Sequence, residues 1–215
     1  MGHRRAGWAA VGAYAALLAA VAVPAALDDD PRPAATTAAD RFTTAWERSR
    51  RATFVRTGQY RRHSEVTGQE IASEDVLAQD PPRRLHRQLG GVQGRNDDRI
   101  LLCPATAAGG TGDCRFGPPG GPTYDRSVAQ EVAGLADAVG GEDPLYRVRV
   151  EGAGCYRLDL TRADPRAPFG IDATFCFDEA TGAPTTSTVR HASGIVERVV
   201  VDDLRPEVTA ADLEP

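Results

Sequence analysis

The side chains able to do chemistry in this 215-residue chain are four cysteines, four histidines and 30 acids set against 25 bases. Cys103, Cys114, Cys155 and Cys176 form an even set with three possible pairings and no C-x-x-C spacing, while His3, His63, His86 and His191 are scattered. Such cysteines suit disulfides in an oxidising compartment, and neither their spacing nor that of the histidines matches a zinc site. No metal and no cofactor is expected. His191 with Ser193 comes nearest to a nucleophile beside its base, but His191-Ala192-Ser193-Gly194 reads as a turn between strands, and the G-x-S-x-G elbow is missing. The acidic pairs Asp97-Asp98 and Asp202-Asp203 fall in a turn and at a strand end, without the ligand spacing of a calcium loop.

All 25 basic residues are Arg. The lack of Lys excludes Schiff-base chemistry, a P-loop lysine and a Ser/Lys dyad, and the Gly109-Gly110-Thr111-Gly112 run has no strand-to-helix context for a phosphate cradle. No catalytic set emerges, so the chain is read as a non-enzyme. Arg83, Arg84, His86 and Arg87 form the densest basic cluster, around Leu85. Arginine forks suit the phosphate or carboxylate of an anionic lipid headgroup, but a solvated strand face is the simpler expectation. A formal charge of −5, with Arg4 and Arg5 both in the leading segment, leaves the rest of the chain more acidic still, and no nucleic-acid partner is expected.

The leading segment sets the compartment. Met-Gly-His-Arg-Arg precedes an uncharged run over residues 6–27, and Asp28, Asp29 and Asp30 follow. At about 1.5 Å rise per residue, a helix of that length spans a hydrocarbon core of about 30 Å. Basic flank before and acidic flank after place the amino terminus in the cytoplasm and the remainder outside. Residues 1–27 are therefore read as a signal-anchor of a single-pass protein in the cell membrane. A cleaved signal peptide and secretion is the alternative, with Val23-Pro24-Ala25 or Ala20-Val21-Ala22 as the processing site. Since the first cysteine is Cys103, a lipid anchor at the cleavage point is disfavoured. Residues 28–36, rich in Asp, Pro and Ala, read as a tether, and residues 37–215 as one extracytoplasmic domain.

Within that domain Ala38, Phe42, Ala45, Trp46 and Ser49 recur at three and four, predicting an amphipathic helix from Thr37 with Arg48, Arg50 and Arg51 at its carboxyl end. Short strands are predicted over residues 53–60, 70–77, 83–89 and 99–102, as an antiparallel meander, followed by a long Gly- and Pro-rich loop over 105–123. Val128, Val132, Leu135 and Val139 predict a second helix over 127–139, with Ser127 and Gln130 as its capping box and Gly140-Gly141 as its stop. Strands follow over 145–150, 155–161, 173–178, 185–190 and 195–203, with Gly182 placed for positive φ in the hairpin loop 178–184 and one helical turn suggested by Thr209 and Asp212. In the strands 155–160 and 172–178, alternation sets Tyr156, Leu158, Leu160, Ala173, Phe175 and Phe177 on one face and both cysteines on the other. Neighbouring strands would join Cys155 to Cys176, leaving Cys103 and Cys114 to staple the loop.

The order of elements, with Arg41-Phe42 and Ala45-Trp46 on the first helix, ATFCFDEATGAPTTSTVRHASGIVERVVVDDLRPEV over residues 173–208 and the closing TAADL, resembles the LolA/LppX-like group of bacterial lipoprotein carriers and envelope lipid-binding proteins. The resemblance implies an α+β fold in which helices cover a curved antiparallel half-barrel around an apolar cavity. It implies no catalytic residues. With six Phe and one Met, the initiator, this chain is poorly supplied with apolar lining. Phe42, Trp46, Phe54, Tyr60, Leu158, Phe175 and Phe177 are the candidate lining, and equally the core of a domain this size. The function expected is a membrane-tethered extracytoplasmic protein binding a lipid or apolar small molecule. The alternative is an envelope sensory or protein-interaction module without a ligand.

Overall fold

The computed structural model describes residues 36–106, 110–165 and 167–215. The expected membrane segment 1–27 and the expected tether, apart from Thr36, lie outside the described residues, as does Gly109 of the glycine run. Among the described residues, no helix is long and apolar enough to cross a membrane.

Helix α1 (Ala38–Arg51) leads into β1 (Phe54–Ser64), β2 (Glu70–Asp80), β3 (Arg83–Gln88), β4 (Gly91–Asn96), β5 (Arg99–Cys103) and β6 (Arg115–Phe116). Helix α2 (Tyr124–Val139) leads into β7 (Tyr146–Gly152), β8 (Cys155–Leu160), β9 (Asp172–Phe177), β10 (Pro184–Arg190) and β11 (Ile195–Arg205), and a 3₁₀ turn, Ala210–Leu213, follows. The strands make one 11-stranded sheet in the order β6-β5-β4-β3-β2-β1-β11-β10-β9-β8-β7. Every pairing is antiparallel. The fold is α+β: two meanders, joined where β1 pairs with β11, form a curved half-barrel covered on one face by helices.

The α1 start is fixed by a reciprocal capping box, with Asp40 N–H donating to Thr37 Oγ1 (3.1 Å) and Thr37 N–H to Asp40 Oδ2 (2.9 Å). Helix α2 begins one turn earlier than the expected Ser127. Its cap is Thr123, which accepts from Arg126 N–H, and Tyr124 N–H donates to Asp97 Oδ1 at 3.1 Å. The second acid of that turn, Asp98, accepts from Gly120 N–H (2.9 Å). These two carboxylates hold loop backbone in place.

Strand alternation gives the sheet two different faces. One carries Phe54, Arg56, Leu77, Gln79, Arg84, His86, Phe175 and Phe177, and α1 packs over part of it. The other carries Leu85, Val92, Leu101 and Cys103, a small core closed by Leu213 of the 3₁₀ turn. Cys155 and Cys176 sit directly opposite each other on β8 and β9 and are disulfide-bonded; Cys103 bonds Cys114 and ties the loop after β5 back to that strand.

The β1–β11 seam shifts register at Thr57/Gly58, and there the two backbones approach so closely that a Cβ on Gly58 would lie 2.2 Å from the Val200 carbonyl oxygen. Gly134, midway along α2, faces open space. Glycine-to-alanine exchange at the two positions should therefore act in opposite directions. In urea melts Gly58→Ala is expected to lose on the order of 1–3 kcal/mol, and Gly134→Ala to gain about 0.5–1 kcal/mol.

Candidate functional site

Phe42, fully buried, points from α1 into the sheet, where ring centroids of Tyr156, Trp46, Phe175 and Phe177 lie 5.5, 5.8, 5.9 and 6.4 Å away. Trp46 extends the cluster to Phe169 at 5.5 Å, and Leu158 packs in the same core. Tilted and edge-on rings at these distances are favourable and leave little room between them. Of the seven candidate lining residues, five meet in this one cluster. Phe54 packs separately with Leu77 and Ala183. Tyr60 stands apart, donating its hydroxyl to Glu197 Oε1 (3.1 Å), with burial and the neighbouring carboxylate pushing the phenol up to about 12. Tyr146, Tyr156 and Phe169 also belong to the cluster, beyond the seven candidate lining residues.

Beside the aromatic cluster the same face becomes polar. Asp75, fully buried on β2, lies 2.7 Å from His86 Nε2, accepts from Gln88 Nε2 at 2.9 Å and is ion-paired with Arg56 Nη2 at 2.9 Å. Burial pushes the Asp75 carboxyl up, but the His86 hydrogen bond and the Arg56 charge outweigh it and hold the group below its ordinary value. An ionised Asp75 is an acceptor only, so His86 Nε2 carries the proton between them. The expectation that Arg83, Arg84, His86 and Arg87 share a solvated strand face is corrected here. Alternation divides them: Arg83 pairs with Asp80, and Arg87 donates to the Glu214 carbonyl on the Leu85 side, while Arg84 and His86 face the side that carries Asp75, His86 bonding to it.

Open space lies to either side of this polar layer, and a further cavity of about 380 Å³ lies between α1 and the Gly154, Tyr156 and Phe177 end of the sheet. Between α1, α2 and strands β1–β3 and β10 is a cleft of about 190 Å³. A groove of about 1170 Å³ lies against β3–β6 and the disulfide-tied loop, lined by Leu89, Val92, Leu102, Pro104, Ala105 and Phe116 with His86, Gln88, Gln93, Asp113 and Arg115. Leu102 and Phe116 are about half exposed there, at 54% and 48%. Small-molecule sites usually measure roughly 300–1,000 Å³ and are mostly apolar with a few polar groups. The groove lies just above that range with a mixed apolar and polar lining, and the cleft lies below it. Among the described residues no group of three or more His, Cys, Asp or Glu side chains is placed to hold a metal ion.

No protein-family model matches the chain, and no curated protein does so by sequence. Its likeness is to solved structures. A LolA superfamily protein from Nitrosomonas europaea is similar at 8% identity and TM-score 0.35, over 82% of this chain and 97% of that one. The MucA/MucB complex of Pseudomonas aeruginosa is similar at 18% identity and TM-score 0.43, over 83% of this chain but 60% of that one. A putative outer membrane lipoprotein-sorting protein domain from Vibrio parahaemolyticus is similar at 11% identity and TM-score 0.24, over 80% and 95% of the respective chains.

The polar layer makes its own demand on stability. Asp75 titrates below the ordinary 3.8, so its contribution is complete above that value and is lost as pH falls through the depressed folded value. Asp75→Asn strands Arg56 as a buried, unpaired cation, a change expected to cost about 3–5 kcal/mol. Denaturant melts at pH 7 should show that loss, and between pH 4 and 2 the variant should lose less further stability than the wild type.

Proposed function

We propose that this chain is a non-enzymatic, membrane-tethered extracytoplasmic protein whose domain holds a lipid or other apolar molecule in the groove against β3–β6. The groove's volume and its half-exposed Leu102 and Phe116 are the observations that carry this reading. The aromatic packing around Phe42 displaces the proposed site from the space beneath α1, where the candidate lining residues lie, to the other half of the sheet. Among those candidates, Phe54, Trp46, Phe175 and Phe177 border the small cleft and act in the proposal as the wall behind the groove's polar layer. Two disulfides and the charged flanks of residues 6–27 support export and anchoring of the domain outside the cytoplasm.

A second reading has its own observation. Ile100, at 53% exposure, shares one face of β5 with half-exposed Leu102, and such an exposed apolar strand face also suits contact with another protein. Titration of the purified domain with a fluorescent fatty acid separates the two. Saturable binding that Leu102→Glu weakens tenfold or more is expected; no saturable binding, or equal binding by the variant, removes the ligand reading and leaves the interaction module.

A further inference from the structure

The small cleft beneath α1 has a charge imbalance that the groove proposal does not use. Three arginines border it, Arg50, Arg56 and Arg84. Glu131 pairs with Arg50 (3.0 Å), and Asp75 with Arg56 (2.9 Å). Among the described residues the Arg84 side chain has neither an ion-pair nor a hydrogen-bond partner, although it is half buried and its Nε is fully enclosed. Arg56 is 7% exposed, and its Nε likewise has no partner. Buried guanidinium donors without acceptors are costly, because each has given up water for nothing in return. A fold that keeps two of them beside one cleft has left a place for an acceptor.

The chemistry of that acceptor follows from the donors. Guanidinium forks favour planar or tetrahedral oxyanions, which can take two parallel N–H bonds. With Glu131 and Asp75 each already matched, Arg84 is the surplus cation, so the cleft carries a net positive charge that an anionic group offsets. The volume of about 190 Å³ admits a headgroup-sized anion but not a long chain. Trp46, Phe54, Phe175 and Phe177 wall the cleft on its apolar side, which lowers the local dielectric and strengthens any charge-assisted bond formed there.

We propose that the cleft between α1, α2 and strands β1–β3 and β10 is an oxyanion site, in which Arg84 and Arg56 bind a phosphate monoester or a carboxylate. The site stands independently of the groove, because Arg84 and Arg56 do not line the groove and Leu102 and Phe116 do not line the cleft.

The test uses the domain as purified, with thermal unfolding followed against inorganic phosphate, sodium acetate and a short-chain phosphatidic acid below its micelle concentration, each matched in ionic strength with sodium chloride. A Tm rise that saturates with phosphate or acetate alone supports a free oxyanion as the ligand. A saturating rise with phosphatidic acid only supports the same site taking a lipid headgroup. Arg84→Gln, which unpairs no partner, should fold with a Tm no lower than wild type and weaken the response at least tenfold. A measurement that needs no variant is the Nε–Hε signals of Arg56 and Arg84 in 1H–15N spectra, which should shift with the same midpoint. No rise beyond the chloride control for any probe, or an undiminished rise in Arg84→Gln with static Nε–Hε signals, overturns the proposal. Leu102→Glu should keep the anion response even where it abolishes fatty-acid binding, so failure of one proposal is readable apart from failure of the other.

Discussion

Phe42 decides where this molecule has room. Its ring reaches from α1 to the sheet and meets Trp46, Tyr156, Phe175 and Phe177, so the half of the half-barrel built by β7–β10 is filled with side chains. Burying several aromatic rings in one cluster is a large apolar gain for a small domain, and it fastens α1 to the carboxyl-terminal meander. Glu131 then links the helices by accepting from Trp46 Nε1 (2.9 Å) and pairing with Arg50. With this cluster packed, the most voluminous opening described lies on the amino-terminal meander, against β3–β6.

The boundary between the filled and open halves is electrostatic. Asp75 draws Arg56, His86 and Gln88 into a layer on β1–β3, and Gln79 Nε2 donates to the Ser49 and Ala52 carbonyls at the end of α1, at 2.7 and 2.8 Å. These bonds satisfy helix-end carbonyls that would otherwise be stranded beneath the helix. An ordinary apolar core would be cheaper than a buried charge pair. Keeping the pair fixes the register of β1, β2 and β3, because a one-residue slip would turn Asp75 to the opposite face.

Much of this architecture is legible in the sequence because it is locally encoded. The stripe from Ala38 to Ser49, the capping residues Thr37 and Asp40, the hairpin glycine Gly182 (φ +79°) and the opposed parity of Cys155 and Cys176 all need only near neighbours to be read. Strand β4 is not legible in the sequence because Gly91-Val92-Gln93-Gly94-Arg95-Asn96 has no apolar alternation; it is a strand through pairing on both sides with β3 and β5. Gly94 permits that pairing, since a Cβ there would meet Leu85 Cδ1 at 2.9 Å. The α2 start lies a turn before Ser127 because Thr123 caps it and Asp97, far away in sequence, holds the Tyr124 N–H of its first turn. The polar layer is illegible for the same reason. Asp75, Arg56 and His86 are isolated charges on three strands, and only the register shows that they meet.

On the proposed reading the accessible site lies on β3–β6 and not beneath α1. A photoactivatable fatty acid, cross-linked to the domain and mapped by peptide mass spectrometry, tests it directly. Adducts confined to the peptides spanning residues 86–93 and 102–117 are the predicted result. Adducts concentrated on Phe42, Trp46, Phe175 or Phe177 would contradict it, because they would mean that the aromatic cluster opens to admit the chain.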